Sequence, residues 1–493
     1  MICTSLAAPT PAEIFRDLSD VAQASDLVEI RLDTIEGIDP AAAEALFRTP
    51  CRIPRIATCR PHREGGEFGG SEPDRLAILQ AAEAAGAEYI DVETFAWPNF
   101  PRKGKAKRIL SYHNFIETPA DLATQAARMA AMEPDIVKIS TFAKDLRDSI
   151  RILAIPKSLK KPCIAIGMGD AGFLTRILTV AHGSVLTYAC VSPEKASAPG
   201  QVPARTLRGM FRMDRLNRST PLYGIFGNPV FHSLSPAVHN AALEATDLPG
   251  VYLPLFAERL DGIVGDLVKA LPFQGFSVTI PHKEDALAEI DDADPIARRA
   301  GAVNTITLEK GRRKGTNTDA PAVVKVFQEA LKRDRFDGLH ALVIGAGGSA
   351  RGAAAGLSEA GARVTIWNRN PERARKAASD IGCTAVRDLQ AILSLDFGII
   401  VQATPVGMNS GEGLPLDSKI FRAGQAVLDF VYTPPETEFL AEAKRRGAIP
   451  LSGLSVFLLQ AALQFEAWTG KPAPMAIMEE AARRALRERG QPA

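Results

Sequence analysis

No two cysteines in this 493-residue chain are spaced as Cys-x-x-Cys. The six present, Cys3, Cys51, Cys59, Cys163, Cys190 and Cys383, fall mostly in or beside apolar segments that read as buried strands. This argues against a disulfide framework or a cysteine zinc site and for reduced thiols in a cytoplasmic protein. No cluster with metal-ligand spacing is visible, so no metal is expected. No apolar run is long enough to cross a bilayer. The first residues, Met1-Ile-Cys-Thr-Ser-Leu6, read as a strand rather than a basic region followed by an apolar run, so no secretory signal is expected. An excess of one charge is missing too. Fifty-eight Lys and Arg against 57 Asp and Glu leave a net charge of +1, which favours neither nucleic acid nor an anionic membrane. The basic run Arg102-Lys-Gly-Lys-Ala-Lys-Arg108 reads as a solvated loop entering a strand. Small molecules are therefore the expected partners, and the sequence is silent on oligomeric state.

What is present is an ordinary globular composition, 46% hydrophobic and 23% charged, on a chain too long for one core. Over residues 1–192, eight short apolar runs recur at 2–6, 28–32, 53–59, 89–93, 108–112, 136–140, 163–167 and 185–191. Amphipathic stretches separate most of them, and residues 97–107 form no clear helix. Eight strand–helix repeats predict a (β/α)₈ barrel, with its chemistry at the C-terminal ends of the strands. Those ends carry Glu29, Arg31 and Asp33, alternating on one face. Thr58-Cys-Arg60 and Glu64-Gly-Gly66 follow, then His113, Lys138, Arg176 and the segment Lys195–Gln201. Each residue alone has an ordinary structural reading. Together an amine, an imidazole, a carboxylate and several arginines on one barrel mouth are equipment for a lysine Schiff base with a histidine proton shuttle. An imine needs an uncharged amine, which burial or nearby cations favour.

The motifs Glu29-Ile-Arg-Leu-Asp33, Thr58-Cys-Arg60…Glu64-Gly-Gly66, His113, Lys138 and Ala196-Ser-Ala-Pro-Gly-Gln201 resemble the type I 3-dehydroquinate dehydratases over residues 1–215. The resemblance implies that Lys138 forms the imine, His113 moves the protons and Glu64 orients His113. It further implies that Arg176, with Ser197 and Gln201, holds the substrate carboxylate, while Glu29, Arg31 and Arg60 contact ring hydroxyls or tune the lysine. A Schiff-base aldolase on the same fold is the rival reading.

The polar segment 215–221 ends in proline and places a boundary near residue 218. Beyond it, strand 342–344 runs into Gly345-Ala-Gly-Gly-Ser-Ala350 and a helix, a dinucleotide loop in its proper context. The next strand ends in Asn368-Arg369, with Arg373 one turn on. Cations there, where an NAD site carries an acid, predict NADP. Ahead of this loop lie Gly227-Asn-Pro-Val230…Ser233-Leu-Ser235, Gly275-Phe-Ser-Val-Thr279-Ile-Pro-His-Lys283, Gly301-Ala-Val-Asn304-Thr305 and Gly315-Thr-Asn-Thr-Asp319. A lysine ammonium beside a carboxylate can stabilise a developing alkoxide and pass it a proton.

Residues 221–493 resemble the shikimate dehydrogenases. The resemblance implies a substrate lobe over 218–320 and about 456–493, and a Rossmann-type nucleotide lobe over 321–455. Ser233 and Ser235 would hold the substrate carboxylate, and Thr279, Asn304 and Gln460 its hydroxyls. Lys283 and Asp319 would flank the reacting oxygen. Gly345, Ala346, Gly347, Gly348, Ser349, Ala350, Asn368, Arg369, Arg373, Thr404, Met408, Val431 and Gly453 would meet the cofactor. The chain departs from the family at Ser277, at Gln402 and over the bulky 454–457. The implied activity is two consecutive steps, 3-dehydroquinate to 3-dehydroshikimate and then to shikimate. An NAD-dependent quinate dehydrogenase in the second half and a non-catalytic metabolite sensor are the alternatives.

Overall fold

The computed structural model describes residues 1–409 and 411–490 and divides into two compact units, 1–220 with 255–257, and 221–254 with 258–493. In the first unit the strands are β1 (Ile2–Leu6), β2 (Leu27–Arg31), β3 (Arg55–Thr58), β4 (Tyr89–Glu93), β5 (Lys107–Asn114), β6 (Ile136–Phe142), β7 (Cys163–Met168) and β8 (Thr187–Ala189). They pair in parallel in the order β7-β6-β5-β4-β3-β2-β1-β8. The expected closed barrel is nearly closed. β8 is shorter than the run 185–191, and the β7–β8 seam carries single bonds, Val185 N–H to Cys163 O at 2.9 Å and Ala165 N–H to Ser184 Oγ at 3.1 Å. Between β4 and β5 only a short turn, Trp97–Asn99, replaces an outer helix.

Local signals set the helix starts. Thr10, Asp39 and Ser71 each accept a first-turn N–H, and a proline occupies the first turn that follows, where its missing N–H costs nothing. Along the strands, alternation stacks the inward side chains in layers. Leu27, Ile56, Ile109, Ile136 and Ile164 form an apolar layer. Two residues further along their strands come Glu29, Thr58, Ser111, Lys138 and Ile166. All five are buried, and most are polar.

The second unit contains two sheets. The first has the order β10-β9-β11-β13-β14-β12, from β9 (Leu222–Gly227), β10 (Val251–Phe256), β11 (Phe273–Val278), β12 (Asp292–Ala293), β13 (Thr305–Glu309) and β14 (Arg312–Thr316). The second has the order β17-β16-β15-β18-β19-β20, from β15 (His340–Ile344), β16 (Arg363–Trp367), β17 (Thr384–Ala385), β18 (Ile399–Gln402), β19 (Ala426–Asp429) and β20 (Ile449–Ser452). Every ladder in the second sheet is parallel. Its order reverses at β15, the switch point where such sheets bind nucleotides. Helix Gly453–Thr469 returns to the first sheet. There Gln464 Nε2 donates to Asn304 O at 3.0 Å and Trp468 Nε1 to Ile306 O at 3.1 Å. Residues 491–493, the end of the expected substrate lobe, lie outside the described residues.

The Trp468 contact needs a bare backbone at Gly275, where a Cβ would lie 2.2 Å from the indole nitrogen. Gly275→Ala is expected to destabilise the second unit by about 1–3 kcal/mol through overpacking, read as a lowered midpoint in chemical denaturation of the full chain. An unchanged midpoint contradicts this account of the contact.

Candidate active sites

The barrel cavity, about 570 Å³ including its open mouth, is lined by Glu29, Arg31, Arg60, Glu64, His113, Lys138, Arg176, Ser197 and Gln201, all the residues to which the resemblance gives a role in this half; Asp33, Thr58 and Lys195 are not in its lining. Register explains why Lys138 and His113 share it. Ser111 is opposite Lys138 and His113 is opposite Ser140, so the two lie two positions apart on adjacent strands and face the same side. Strand spacing and rise put their Cα atoms roughly 8 Å apart, within reach of one small ring.

Glu64 reaches His113 because of the two glycines that follow it. A Cβ on Gly66 would meet Arg60 O at 2.0 Å. One on Gly65, where φ is +75°, would meet the Phe115 ring at 2.3 Å. The bare backbone lets the segment fold back, and Glu64 Oε2 then accepts from His113 Nδ1 at 3.0 Å and from its backbone N–H at 3.2 Å. The Lys138 ammonium is 2.8 Å from Asp91 Oδ2 and 3.4 Å from Glu29 Oε1, and 4.2 Å from the centre of the Tyr188 ring. The nearby cations expected to favour an uncharged amine are thus not its closest neighbours. Two carboxylates are.

Asp91 also accepts from Ser111 Oγ at 2.6 Å and pairs with Arg60 at 3.0 Å; Arg60 pairs with Glu93 at 2.7 Å, and Glu93 with Arg75 at 2.8 Å. Arg31 is held bidentately by Asp33. Arg176 has no carboxylate partner among the described residues. It is buried, donates to Pro199 O at 2.8 Å, and leaves its Nε unpaired. Burial pulls its guanidinium down to about 10. A buried cation without a counter-ion, in a cavity, suits a ligand carboxylate. Ser197 N–H and Oγ both donate to Gln201 Oε1, at 2.8 and 3.2 Å.

In the second unit Lys283 Nζ donates to Asp319 Oδ2 at 2.5 Å and to Ser349 Oγ at 2.9 Å. Asn304 Nδ2 donates to Asp319 Oδ1 at 2.9 Å and lies 3.4 Å from Gln460 Oε1. Ser233 Oγ accepts from Ser235 N–H at 3.1 Å, just ahead of the helix Ser235–Ala245. Thr279 packs its methyl over Gly227. Gln402 is turned inward, donating to Thr404 O and Val406 O.

A second cavity, about 1660 Å³ including its mouth, is lined by Gly345, Ala346, Gly347, Gly348, Ser349, Asn368, Arg369, Arg373 and Thr404, together with Lys283 and Glu284. Several observations show that this cradle fits a dinucleotide. Helix Gly348–Glu359 has no side-chain cap, and a Cβ on Gly347 would meet only open space. Gly345 takes a φ of +120° beside Ala403 O. The helix start therefore offers free N–H groups to an anion. Ala350, Met408, Val431 and Gly453 fall outside this lining. Ala350 is fully buried in the helix, Val431 N–H bonds Asp429 Oδ1, and Gly453 packs against the carbonyls of Asp429 and Phe430.

Models of known families match along the chain. These are type I 3-dehydroquinase over 2–218, the shikimate dehydrogenase substrate binding domain over 225–306, shikimate/quinate 5-dehydrogenase over 328–406 and the shikimate 5'-dehydrogenase C-terminal domain over 453–483. The chloroplastic bifunctional 3-dehydroquinate dehydratase/shikimate dehydrogenase of Arabidopsis thaliana is 38% identical over 91% of this chain and 78% of its own. The chain belongs to this bifunctional family. The NADP(+) shikimate dehydrogenase of Thermus thermophilus is 43% identical over 54% of this chain and 98% of its own. The crystal structure of the Aquifex aeolicus shikimate dehydrogenase covers 54% of this chain and 99% of its own, at 33% identity and a TM-score of 0.51.

Within the dehydratase site, electrostatics separate the two members of the His113–Glu64 pair. Burial, with Arg60 and Lys138 nearby, pushes the His113 imidazole well below its ordinary range. Burial lifts Glu64 to about 7 against the pull of Arg60. The imidazole is therefore neutral near neutral pH, while Glu64 is poised to gain or lose a proton. Asp91, Glu93 and Tyr188 of this site were missed in the sequence. The alternation Asp91-Val-Glu93 on β4, the same pattern that exposed Glu29 and Arg31, was the available signal. Tyr252 and Gln464 were missed in the dehydrogenase site, where Tyr252 OH donates to Ser277 Oγ at 2.6 Å and Ser277 to Gln464 Oε1 at 2.8 Å.

With Glu64 at about 7, dehydratase kcat/KM is expected to rise with pH through a midpoint near that value as the carboxyl ionises and aligns His113. Glu64→Gln is expected to lower the rate about 10²-fold and to erase that limb of the pH–rate profile. A surviving limb assigns the ionisation elsewhere.

Proposed function

We infer that the chain carries out two consecutive shikimate-pathway reactions. The barrel dehydrates 3-dehydroquinate to 3-dehydroshikimate, and the second unit reduces that ketone to shikimate with NADPH. The observation that carries the reading is one cavity holding Lys138, His113 and Arg176 together, Arg176 having no carboxylate partner among the described residues.

In the barrel, Arg176 takes the substrate carboxylate and Lys138 attacks the ketone. The ammonium must first give up its proton. The neutral imidazole of His113 is the available acceptor, and its basicity rises once the Lys138 charge that depresses it is gone. The amine adds to the carbonyl carbon, protonated His113 gives its proton to the carbinolamine hydroxyl as it leaves as water, and the iminium nitrogen becomes the electron sink. Neutral His113 then removes the proton next to the iminium carbon. The electron pair moves into an enamine and expels the neighbouring hydroxyl, which His113 protonates as it leaves as water. Hydrolysis of the remaining imine returns Lys138. Glu64 keeps Nδ1 occupied, so Nε2 is the atom that carries the proton. Arg60, bound to Asp91 and Glu93, holds in place Asp91, one of the two carboxylates that face Lys138.

At the second site bound NADPH supplies the hydride. Lys283 stands at the carbonyl oxygen and donates the proton, while Asp319 aims its ammonium. Asn304 and Gln460 hold substrate hydroxyls, and Ser233 and Ser235 hold the carboxylate. Arg369 and Arg373 line the cavity where a 2′-phosphate would be read, and Asn368-Arg369 puts no acid at the end of β16. Six unpaired cysteines suit a reducing compartment, and we place the protein in the cytoplasm.

Supplied with 3-dehydroquinate and NADPH, the purified chain is expected to oxidise NADPH. Lys138→Ala stops this but leaves reduction of 3-dehydroshikimate intact, whereas Lys283→Ala stops both NADPH oxidation and that reduction but leaves formation of 3-dehydroshikimate from 3-dehydroquinate intact. Borohydride with 3-dehydroquinate is expected to attach the substrate covalently at Lys138; attachment at another lysine removes the mechanism. Arg369→Asp is expected to weaken NADPH binding about tenfold or more with little change for NADH, measured by fluorescence titration. Equal loss for both refutes the phosphate assignment and favours an NAD-linked quinate dehydrogenase.

A further inference from the structure

We propose that Ser349 is a positioning residue for Lys283, through which occupancy of the nucleotide cavity is coupled to substrate binding at the dehydrogenase site; this rests on the reading of that site given above. Lys283 spends one ammonium hydrogen on Asp319 at 2.5 Å and another on Ser349 Oγ at 2.9 Å. Asp319 belongs with the substrate groups through Asn304. Ser349 belongs to the nucleotide loop and lines its cavity. The lysine is thus shared between the two halves of the site.

The shared arrangement is built in. A Cβ on Gly348 would fall 2.5 Å from Lys283 Cβ and 3.0 Å from its Cδ, so the lysine stem lies on bare loop backbone and its ammonium is delivered to the next residue, Ser349. The residue after the lysine is tied to the same lobe, with Glu284 facing Arg351 at 3.6 Å and Arg373 at 3.4 Å. Both Glu284 and Arg373 line the nucleotide cavity. A hydroxyl that accepts from an ammonium keeps its own hydrogen to donate. Ser349 can therefore accept from Lys283 and donate to an anion in the cavity at once, and each bond polarises the other. An anion there firms the Lys283–Ser349 bond and so fixes the ammonium where the substrate oxygen must meet it. Coupling of this kind is reciprocal. Whatever factor the nucleotide adds to substrate affinity, the substrate adds to nucleotide affinity.

The test uses NADPH with shikimate, two reduced partners that bind together without reacting. NADPH binding to the full chain is followed by its fluorescence with and without saturating shikimate. In the wild-type protein shikimate is expected to tighten NADPH about fivefold, at the lower end of ordinary coupling. In Ser349→Ala the ratio falls to about one, and in Ser349→Thr, which keeps the hydroxyl, most of the fivefold effect remains. Ser349→Cys, a poor acceptor for an ammonium, behaves like the alanine variant and replaces it should circular dichroism show the alanine variant unfolded. A wild-type ratio of one, or full coupling in both the alanine and cysteine variants, overturns the proposal. Absence of 3-dehydroshikimate reduction by the wild-type chain is a separate outcome and sinks the reading of the site itself.

Discussion

Lys138 lies inside the barrel with Asp91 2.8 Å and Glu29 3.4 Å from its ammonium, and most of the first unit's polar interior is arranged around that contact. A lone buried ammonium is costly, and breaking one partner out of a buried pair costs about 3–5 kcal/mol. Here the charges balance. Lys138, Arg60 and Arg75 face Glu29, Asp91 and Glu93, all six buried. Burial alone would raise the Asp91 carboxyl, yet Arg60 and Lys138 hold it well below the ordinary carboxylate range. Glu29 moves the same way, with Lys138 and Arg31 outweighing its burial. Asp91 and Glu29 are therefore fixed anions, and the lysine has a fixed place. Hydroxyls of Ser5, Thr58 and Ser111 take up remaining lone pairs.

Much of this was legible in the sequence. Eight strand–helix repeats predict the architecture, and alternation in β2 puts Glu29 and Arg31 on one face; Asp33 lies past the strand, in the turn Leu32–Thr34, and reaches Arg31 from there. The same rule applied to β4 exposes Asp91 and Glu93, whose neighbours Ile90 and Val92 face the other way. Those two were lost because the segment Tyr89–Glu93 reads as an apolar run with acidic edges, not as part of a site. The open seam between β7 and β8 was not legible, since apolar residues continue beyond the three that pair. Nor was the sign of the field at Lys138. Sequence spacing says which residues share a face but not which of two arginines and two carboxylates on it comes nearest.

In the second unit the motifs are contiguous, so Lys283, Asp319 and the glycine loop were readable one by one. What they do to each other was not. Tyr252, Ser277 and Gln464 come from two strands and a helix nearly 190 residues apart in the longest pairing. No local pattern distinguishes a buried serine–glutamine bond from an ordinary core polar contact. The departure at Ser277 becomes intelligible in this setting. Its small hydroxyl bridges Tyr252 to Gln464, and Gln464 in turn holds Asn304 O and Thr305 Oγ1, each at 3.0 Å. Ser277 is buried between them.

Charge balance also explains how, in the mechanism proposed above, a lysine paired with two acids is compatible with imine chemistry. The resting ammonium and the protonated imine each carry one positive charge, so Asp91 and Glu29 face the same charge before and after the covalent bond forms. Only the free amine in between is uncompensated, and it is then that His113, relieved of one neighbouring cation, is most basic. The carboxylates thus favour the two charged states equally and leave the proton transfer to the imidazole. A cation-rich pocket of the kind the sequence suggested would have favoured the free amine. It would also have opposed the iminium on which the removal of the ring proton depends.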